Sequence, residues 1–303
     1  SEMYLKAQTD LKAAIALGAL VPDKAPAYRY DWQQPPAWPE ATCQLGDSQS
    51  PIDIPIESQR AELASEPLGV SYTAGEALFA ADEEQGLVIV GGAMGMLQVG
   101  GVSYNITQVN FKTPSEHTVK GKTFDVEMQV MHKQIGGDGL VGVSVLFERK
   151  GDSSEFLESI AFDRLPNKHY PRGMSNFDLN LVKGLDGDFL SYRGSVTHPP
   201  CTQNVQWFIL STVQEMSESQ RVAIDAPDMA TGKSNQIKNH ARQIQPRNSR
   251  PVVVHRVTTA SAMPKHPIVE KNIRTFVSRA CLPVSSRFGS SELRFLSSLS
   301  PSS

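Results

Sequence analysis

The chain of 303 residues has little from which to build a zinc ribbon, a membrane span or a nucleic-acid surface. Cysteine occurs three times, at Cys43, Cys201 and Cys281, and never as C-x-x-C, which argues against a zinc ribbon or a thioredoxin-like redox pair. On count alone, Cys43 and Cys201 fit a disulfide and two separate buried thiols equally well. The formal net charge is only -3, so no excess of either sign points to nucleic acid or an anionic membrane. No apolar run approaches the ~18 residues of a spanning helix, and no transmembrane segment is expected.

What remains is an ordinary globular composition, 40% hydrophobic and 20% charged, with enough chain for one large domain or two smaller ones. The opening "SEMYLKAQTDLKAAIALGALVP" carries acidic residues and lacks a basic start followed by an unbroken apolar stretch. It reads as a mature amino terminus from which any targeting peptide has gone. Within it Leu5, Leu11, Ile15 and Leu20 suggest a short amphipathic helix ending before Pro22.

The chain divides into an N-terminal extension (1–28), a β-rich domain (29–256) and a C-terminal extension (257–303) that ends Ser-rich. "GLVIVGGAMGMLQVGGVSYNITQVNF", "KTFDVEMQVMHK" and "LVGVSVLFER" carry period-two or continuous apolar runs, divided by turns such as "GGDG" and "LDGD". One helix begins near "SESQRVAIDA", where Ser217 and Gln220 fit a capping box. The sequon Asn105-Ile106-Thr107 falls inside a predicted strand, a placement that argues against its glycosylation. Apolar Phe288, Leu293, Phe295 and Leu296 in the tail are candidate anchors for a partner.

Residues two apart on a strand share a face, so Asn110 and Lys112 point together, as do Glu127, Gln129 and Met131 on a later strand. If the two strands are neighbours, one sheet face gathers two amides, an ammonium and a carboxylate. Histidines at positions 110, 112 and 129 would make a zinc site with an open fourth position. The residues present cannot do so, because an ammonium has no lone pair and neutral amides are poor zinc ligands. A metal-free polar cluster, with no cofactor, is the expectation. Lys112 is expected to pair with Glu127 or Glu116, since an unpaired buried charge is costly.

Five blocks now matter together: "QSPIDI", "QVNFKTPSEHT", "FDVEMQVMHK", "GSVTHPPCTQNVQW" and "QPRNSRPV". In this order and spacing they resemble the signatures of the α-carbonic anhydrases over roughly residues 30–255. The resemblance implies a mainly β (α+β) domain around a large, twisted, mostly antiparallel ten-stranded sheet with few short helices. It places the family's three zinc histidines on Asn110, Lys112 and Gln129, and its proton-shuttle histidine on Ala93. Gln108, Glu116, Glu127 and Thr197 match residues that support the metal and its hydroxide. Met131, Val196, His198, Val205 and Trp207 fall on the family's cleft, although Val196, Val205 and Trp207 serve equally well as sheet core. His117 and His132 match structural core histidines, while His169, His240, His255 and His266 are scattered. Cys43 and Cys201 match a disulfide found in extracytosolic members, and Cys281 is left over.

The sequence thus looks more like the acatalytic carbonic anhydrase-related proteins than the enzymes. Loss of carbonate dehydratase activity is expected, because lowering the pKa of a bound water is the metal's work. Three functions compete. The first is a non-enzymatic scaffold in an oxidising compartment outside the cytosol, an organellar lumen such as the thylakoid or the secreted space. It would bind protein partners, a membrane-bound complex among the candidates, through its two extensions. The second keeps the cleft for bicarbonate or another small anion, held by Lys112, Thr197 and His198. The third is an active carbonic anhydrase with relocated ligands, for which neither ligands nor shuttle are in place. Storage proteins also use this fold, but nothing in the composition singles that role out.

Overall fold

A computed structural model describes residues 41–55, 61–82, 86–166, 170–225 and 240–257. The expected N-terminal helix, the C-terminal tail with its apolar anchors, Cys281, His169 and His266 lie outside the described residues.

In chain order the strands are β1 (Asp53–Ile54), β2 (Ala61–Ser65), β3 (Gly69–Tyr72), β4 (Gly75–Asp82), β5 (Gly86–Gly91) and β6 (Gly95–Val99). Then come β7 (Val102–Lys112), β8 (Thr118–Val119), β9 (Val126–Gln134), β10 (Leu140–Arg149) and β11 (Arg172–Phe177). The series closes with β12 (Phe189–Ser195), β13 (Gln203–Leu210), β14 (Gln214–Met216) and β15 (Val253–Val257). Among the described residues helices are few and short: α1 (Ala41–Leu45), α2 (Glu155–Ser159), α3 (Glu218–Asp225) and one 3-10 turn (Leu179–Leu181).

Ten strands form a continuous path, β11-β4-β5-β7-β9-β10-β13-β12-β15-β2. Three more join it at the sides: β14 pairs with β10, β3 with β6, and β6 also with β7. The expected ten-stranded sheet therefore stands as its main path and has thirteen strands in all among the described residues. Most pairings are antiparallel; β10–β13, β10–β14 and β15–β2 are parallel. The capping box forms at α3, with Gln220 N–H donating to Ser217 Oγ (3.3 Å) and Ser217 N–H to Gln220 Oε1 (3.0 Å).

Central strands are buried on both faces, which is why their sequences run apolar instead of alternating. In β10 all residues from Leu140 to Phe147 are buried. One face carries a core that includes Phe79, Val109, Phe111, Met128, Val130, Val143 and Phe208. The other carries Met131, Leu146, Tyr192, Val205, Trp207 and Ile209. Gly142 lies opposite Trp207, where a Cβ would stand 2.5 Å from the indole ring, so glycine lets the ring lie flat across β10. It is on this second face that the polar side chains of β7 and β9 are enclosed.

Candidate functional site

β7 and β9 are antiparallel neighbours, and their register sets Gln108 opposite Met131, Asn110 opposite Gln129 and Lys112 opposite Glu127. The face shared by parity in the sequence is therefore one physical cluster. All of these side chains are buried, Lys112 and Glu127 completely. Buried polar groups must be hydrogen-bonded or paired, and here the partners can be followed one by one.

Gln129 sits at the centre. Its Nε2 donates to Glu116 Oε2 (2.7 Å) and to Glu127 Oε1 (3.0 Å), and its Oε1 lies 3.5 Å from the Thr197 hydroxyl. The amide orientation is fixed by chemistry, since only the NH2 end can donate to two carboxylates. Beside it, Gln108 Nε2 donates to Asn110 Oδ1 (3.0 Å). Lys112 Nζ lies 3.7 Å from Glu116 Oε1, the expected ion pair with one of the two candidate acids.

Glu127 receives five hydrogen bonds. Oε2 accepts from the backbone N–H groups of Glu116 (2.8 Å) and His117 (2.7 Å); Oε1 accepts from His117 Nδ1 (2.6 Å), Ser144 Oγ (2.8 Å) and Gln129. Burial works to raise its pKa, but the electrostatic pull and hydrogen bonds of His117 outweigh burial and hold the carboxyl down at about 2. His117 continues the chain through Nε2, 2.6 Å from Tyr192 Oη, which is 2.7 Å from Ser50 Oγ. Burial pushes the Tyr192 phenol far above its ordinary pKa, so it stays neutral.

Arg242 closes the other side. Its backbone N–H donates to Glu116 Oε1 (3.0 Å), while its guanidinium donates to Gln49 Oε1 (2.8 Å), Ser50 O (2.7 Å) and Cys43 O (3.0 Å). Cys43 is bonded to Cys201 in a disulfide, and Cys201 O accepts from Gln49 Nε2 (3.2 Å). Two cations, Lys112 and Arg242, thus accompany two carboxylates, Glu116 and Glu127, inside one enclosed network.

The residues expected to line a cleft pack around this network. Met131, Val196, Val205 and Trp207 belong to the apolar core of the same face. Trp207 Nε1 donates to Ser195 O (2.9 Å), and the indole meets His117 edge-on at 5.0 Å. His198 is buried, with Nδ1 donating to Pro199 O (2.9 Å); burial and then the Lys112 charge lower its pKa to about 4. Ala93 is exposed in the turn between β5 and β6, and its methyl group cannot carry a proton. His132 faces the opposite core, with Nε2 3.2 Å from Tyr72 Oη. His255 bridges Ser65 Oγ and Ser191 Oγ, each at 2.8 Å, and stacks on Phe189.

These residues do not fit zinc. A tetrahedral site needs three or four lone-pair donors converging on one point, preferably imidazole, thiolate or carboxylate. Here position 112 holds an ammonium paired with Glu116, and the carbonyl oxygen of Asn110 accepts from Gln108. A dication would also stand against the charge of Lys112. No group of three His, Cys, Asp or Glu is placed to hold a metal among the described residues.

Sequence reasoning had not singled out Arg242, Tyr192, Ser144 or Ser50. Ser50 lies within the segment "QSPIDI", but nothing local to it announces a partner at Tyr192, 142 positions away. Arg242 lies just outside the last block and reaches Gln49 across 193 positions.

A long mixed sheet with a polar cluster enclosed on one face of its central strands defines the class of protein. The model for eukaryotic-type carbonic anhydrase matches residues 31–256, so the chain belongs to the α-carbonic anhydrase family. Dioscorin dioA3 of Dioscorea japonica is 30% identical over 222 residues, covering 72% of this chain and 78% of the relative. Alpha carbonic anhydrase 7 of Arabidopsis thaliana is 26% identical over 230 residues, covering 73% and 78%. Among solved structures, dioscorin complexed with ascorbate superposes with a TM-score of 0.65 at 26% identity, covering 79% of this chain and 98% of that one.

Proposed function

We propose that this protein is a carbonic anhydrase-fold member that does not hydrate carbon dioxide and acts as a scaffold subunit for protein partners in an oxidising compartment. The observation that carries the reading is the closed hydrogen-bond network around Gln129. Gln129 bridges Glu116 and Glu127, and Lys112 supplies a cation beside them. Each group that would orient a zinc hydroxide is engaged with another side chain. Asn110, Lys112 and Gln129 are the former ligand positions in this reading, with Gln108, Glu116, Glu127 and Thr197 as the shell that once supported them. The Cys43–Cys201 disulfide supports a compartment outside the cytosol, where such bonds persist. The family match spans 31–256, which leaves chain on both sides of it for docking.

The test is the native mass of the protein from gently lysed source material, with co-migrating proteins identified. Migration in a large assembly supports the scaffold reading, and deletion of 1–28 or 257–303 then shows which end docks. A lone species near 33 kDa counts against it.

A second reading, a binder of bicarbonate or another small anion, takes support from the related dioscorin structure being a complex with ascorbate. Lys112, Thr197 and His198 would hold the anion, which would have to compete with Glu116 for Lys112. A bicarbonate titration without heat or chemical-shift change removes this option.

A further inference from the structure

We propose that Asn105 is an N-glycosylation site, carrying one glycan at the rim of the face that encloses the polar network. The inference rests on the reading that the protein resides in an oxidising compartment. Asn105-Ile106-Thr107 is the one Asn-x-Ser/Thr sequon in the 303 residues. Its place within β7 holds, yet the strand does not bury it. Asn105 is exposed, whereas Ile106 beside it is 7% exposed and packs into the opposite core.

The reason is a β-bulge. Pairing between β7 and β9 runs Asn105–Lys133 and Ile106–His132, then resumes at Gln108–Met131, so Thr107 is the extra residue. On β9, Lys133, Met131 and Gln129 alternate onto one face, which places Asn105 on the same face as Gln108 and Asn110. Four residues of β9 separate the partners of Asn105 and Asn110, about 14 Å at the rise of an extended strand. Asn105 is therefore well outside the enclosed network, in the outer, solvated half of β7. Ile135, 51% exposed, lies at the same end, its N–H donating to Ser103 O (2.9 Å). A bulky, hydrated glycan at Asn105 would stand beside this apolar side chain and shield it from other chains.

The co-reactant is a polyprenyl-pyrophosphate-linked oligosaccharide, met by the extended chain before folding. Asn105 Nδ2 forms a bond to the sugar C1 as the C1–oxygen bond to pyrophosphate breaks. Polyprenyl pyrophosphate leaves, and one amide proton is lost. No oxidation or reduction is involved. The folded domain need only leave the modified side chain in solvent, which the exposure of Asn105 satisfies.

The test is the intact mass of the full chain from its native source, before and after a peptide-N-glycosidase that accepts core-fucosylated glycans, with free thiols labelled in parallel. The expected result is loss of one glycan mass and conversion of Asn105 to aspartate. In a eukaryotic secretory host, N105Q should abolish the shift and T107S should retain it. A native chain of unmodified mass whose Cys43 and Cys201 resist labelling overturns the proposal while leaving the oxidising compartment intact. An unmodified chain with both thiols free overturns the proposal and the compartment together.

Discussion

Lys112 Nζ lies 3.7 Å from Glu116 Oε1, and neither side chain reaches solvent. Burying both charges costs several kcal/mol of desolvation per ion, and mutual attraction together with hydrogen bonds to Glu116 from Gln129 and Arg242 offsets it. Replacing Lys112 by methionine removes the ammonium paired with Glu116 and leaves a buried carboxylate short of a partner. K112M should destabilise the domain by about 3–5 kcal/mol, read as a lower urea midpoint at unchanged slope. K112M/E116Q should recover much of that loss, because the stranded charge is gone. A double variant as unstable as K112M would show that the pair is not coupled.

The partners of Asn110 and Gln129 make a second prediction. Gln108 and Glu127 now bond Asn110 and Gln129, and in a metal site such groups orient imidazoles. The triple variant N110H/K112H/Q129H should therefore take up one zinc per chain and keep it through dialysis. Metal analysis checks this, with thermal unfolding to show that the variant is folded. A folded triple variant without zinc would mean that these three positions are not the former ligand set.

Acid should weaken the fold in two stages. Burial lowers the pKa of His132, His198 and His240 from 6.5 to about 4, with the Lys112 charge adding to the shift at His198 and His240. Between those values the unfolded chain binds more protons, so stability falls as pH drops below about 6.5. Glu127, depressed from 4.5 to about 2, contributes stability that is present above about 4.5 and is lost as pH falls further. Urea midpoints should thus decline from pH 7 to 5 and more steeply below 4.5. A flat profile over pH 5–7 would contradict the buried neutral histidines.

The disulfide closes a sequence separation of 158 residues, for which chain entropy gives roughly 5 kcal/mol, an upper-side figure. C43S/C201S should lose roughly 2–5 kcal/mol in the same denaturation assay. It should also loosen the network, since the carbonyls of Cys43 and Cys201 accept from Arg242 and Gln49. Increased hydrogen exchange at the Arg242 amide, which is held by Glu116, reports that loosening. Unchanged exchange there would confine the effect of the disulfide to the unfolded chain.

Much of this site was legible because strand parity is strict. Asn110 with Lys112, and Glu127 with Gln129, had to share faces, and only the neighbouring of β7 and β9 remained to be found. The Lys112 partner was narrowed to two acids, and the structure pairs it with Glu116. Gln129 as a bridge between both acids was not legible, since it depends on how the 113–117 loop folds back over β9. Of the three strands beyond the expected ten, β6 lies within a stretch already marked as β-rich, whereas β3 and β14 span only four and three residues. Segments that short carry too few alternations to announce themselves. The exposure of Asn105 was hidden by the Thr107 bulge, because an extra residue shifts parity without any mark in the pattern.

The most direct test of the central claim is zinc content and carbon dioxide hydration, measured on the same full-length, disulfide-bonded protein after exposure to excess zinc and dialysis. With Asn110, Lys112 and Gln129 paired to their neighbours, the expected result is no retained zinc and hydration at the buffer rate. One retained zinc per chain, with hydration abolished by acetazolamide, would contradict it.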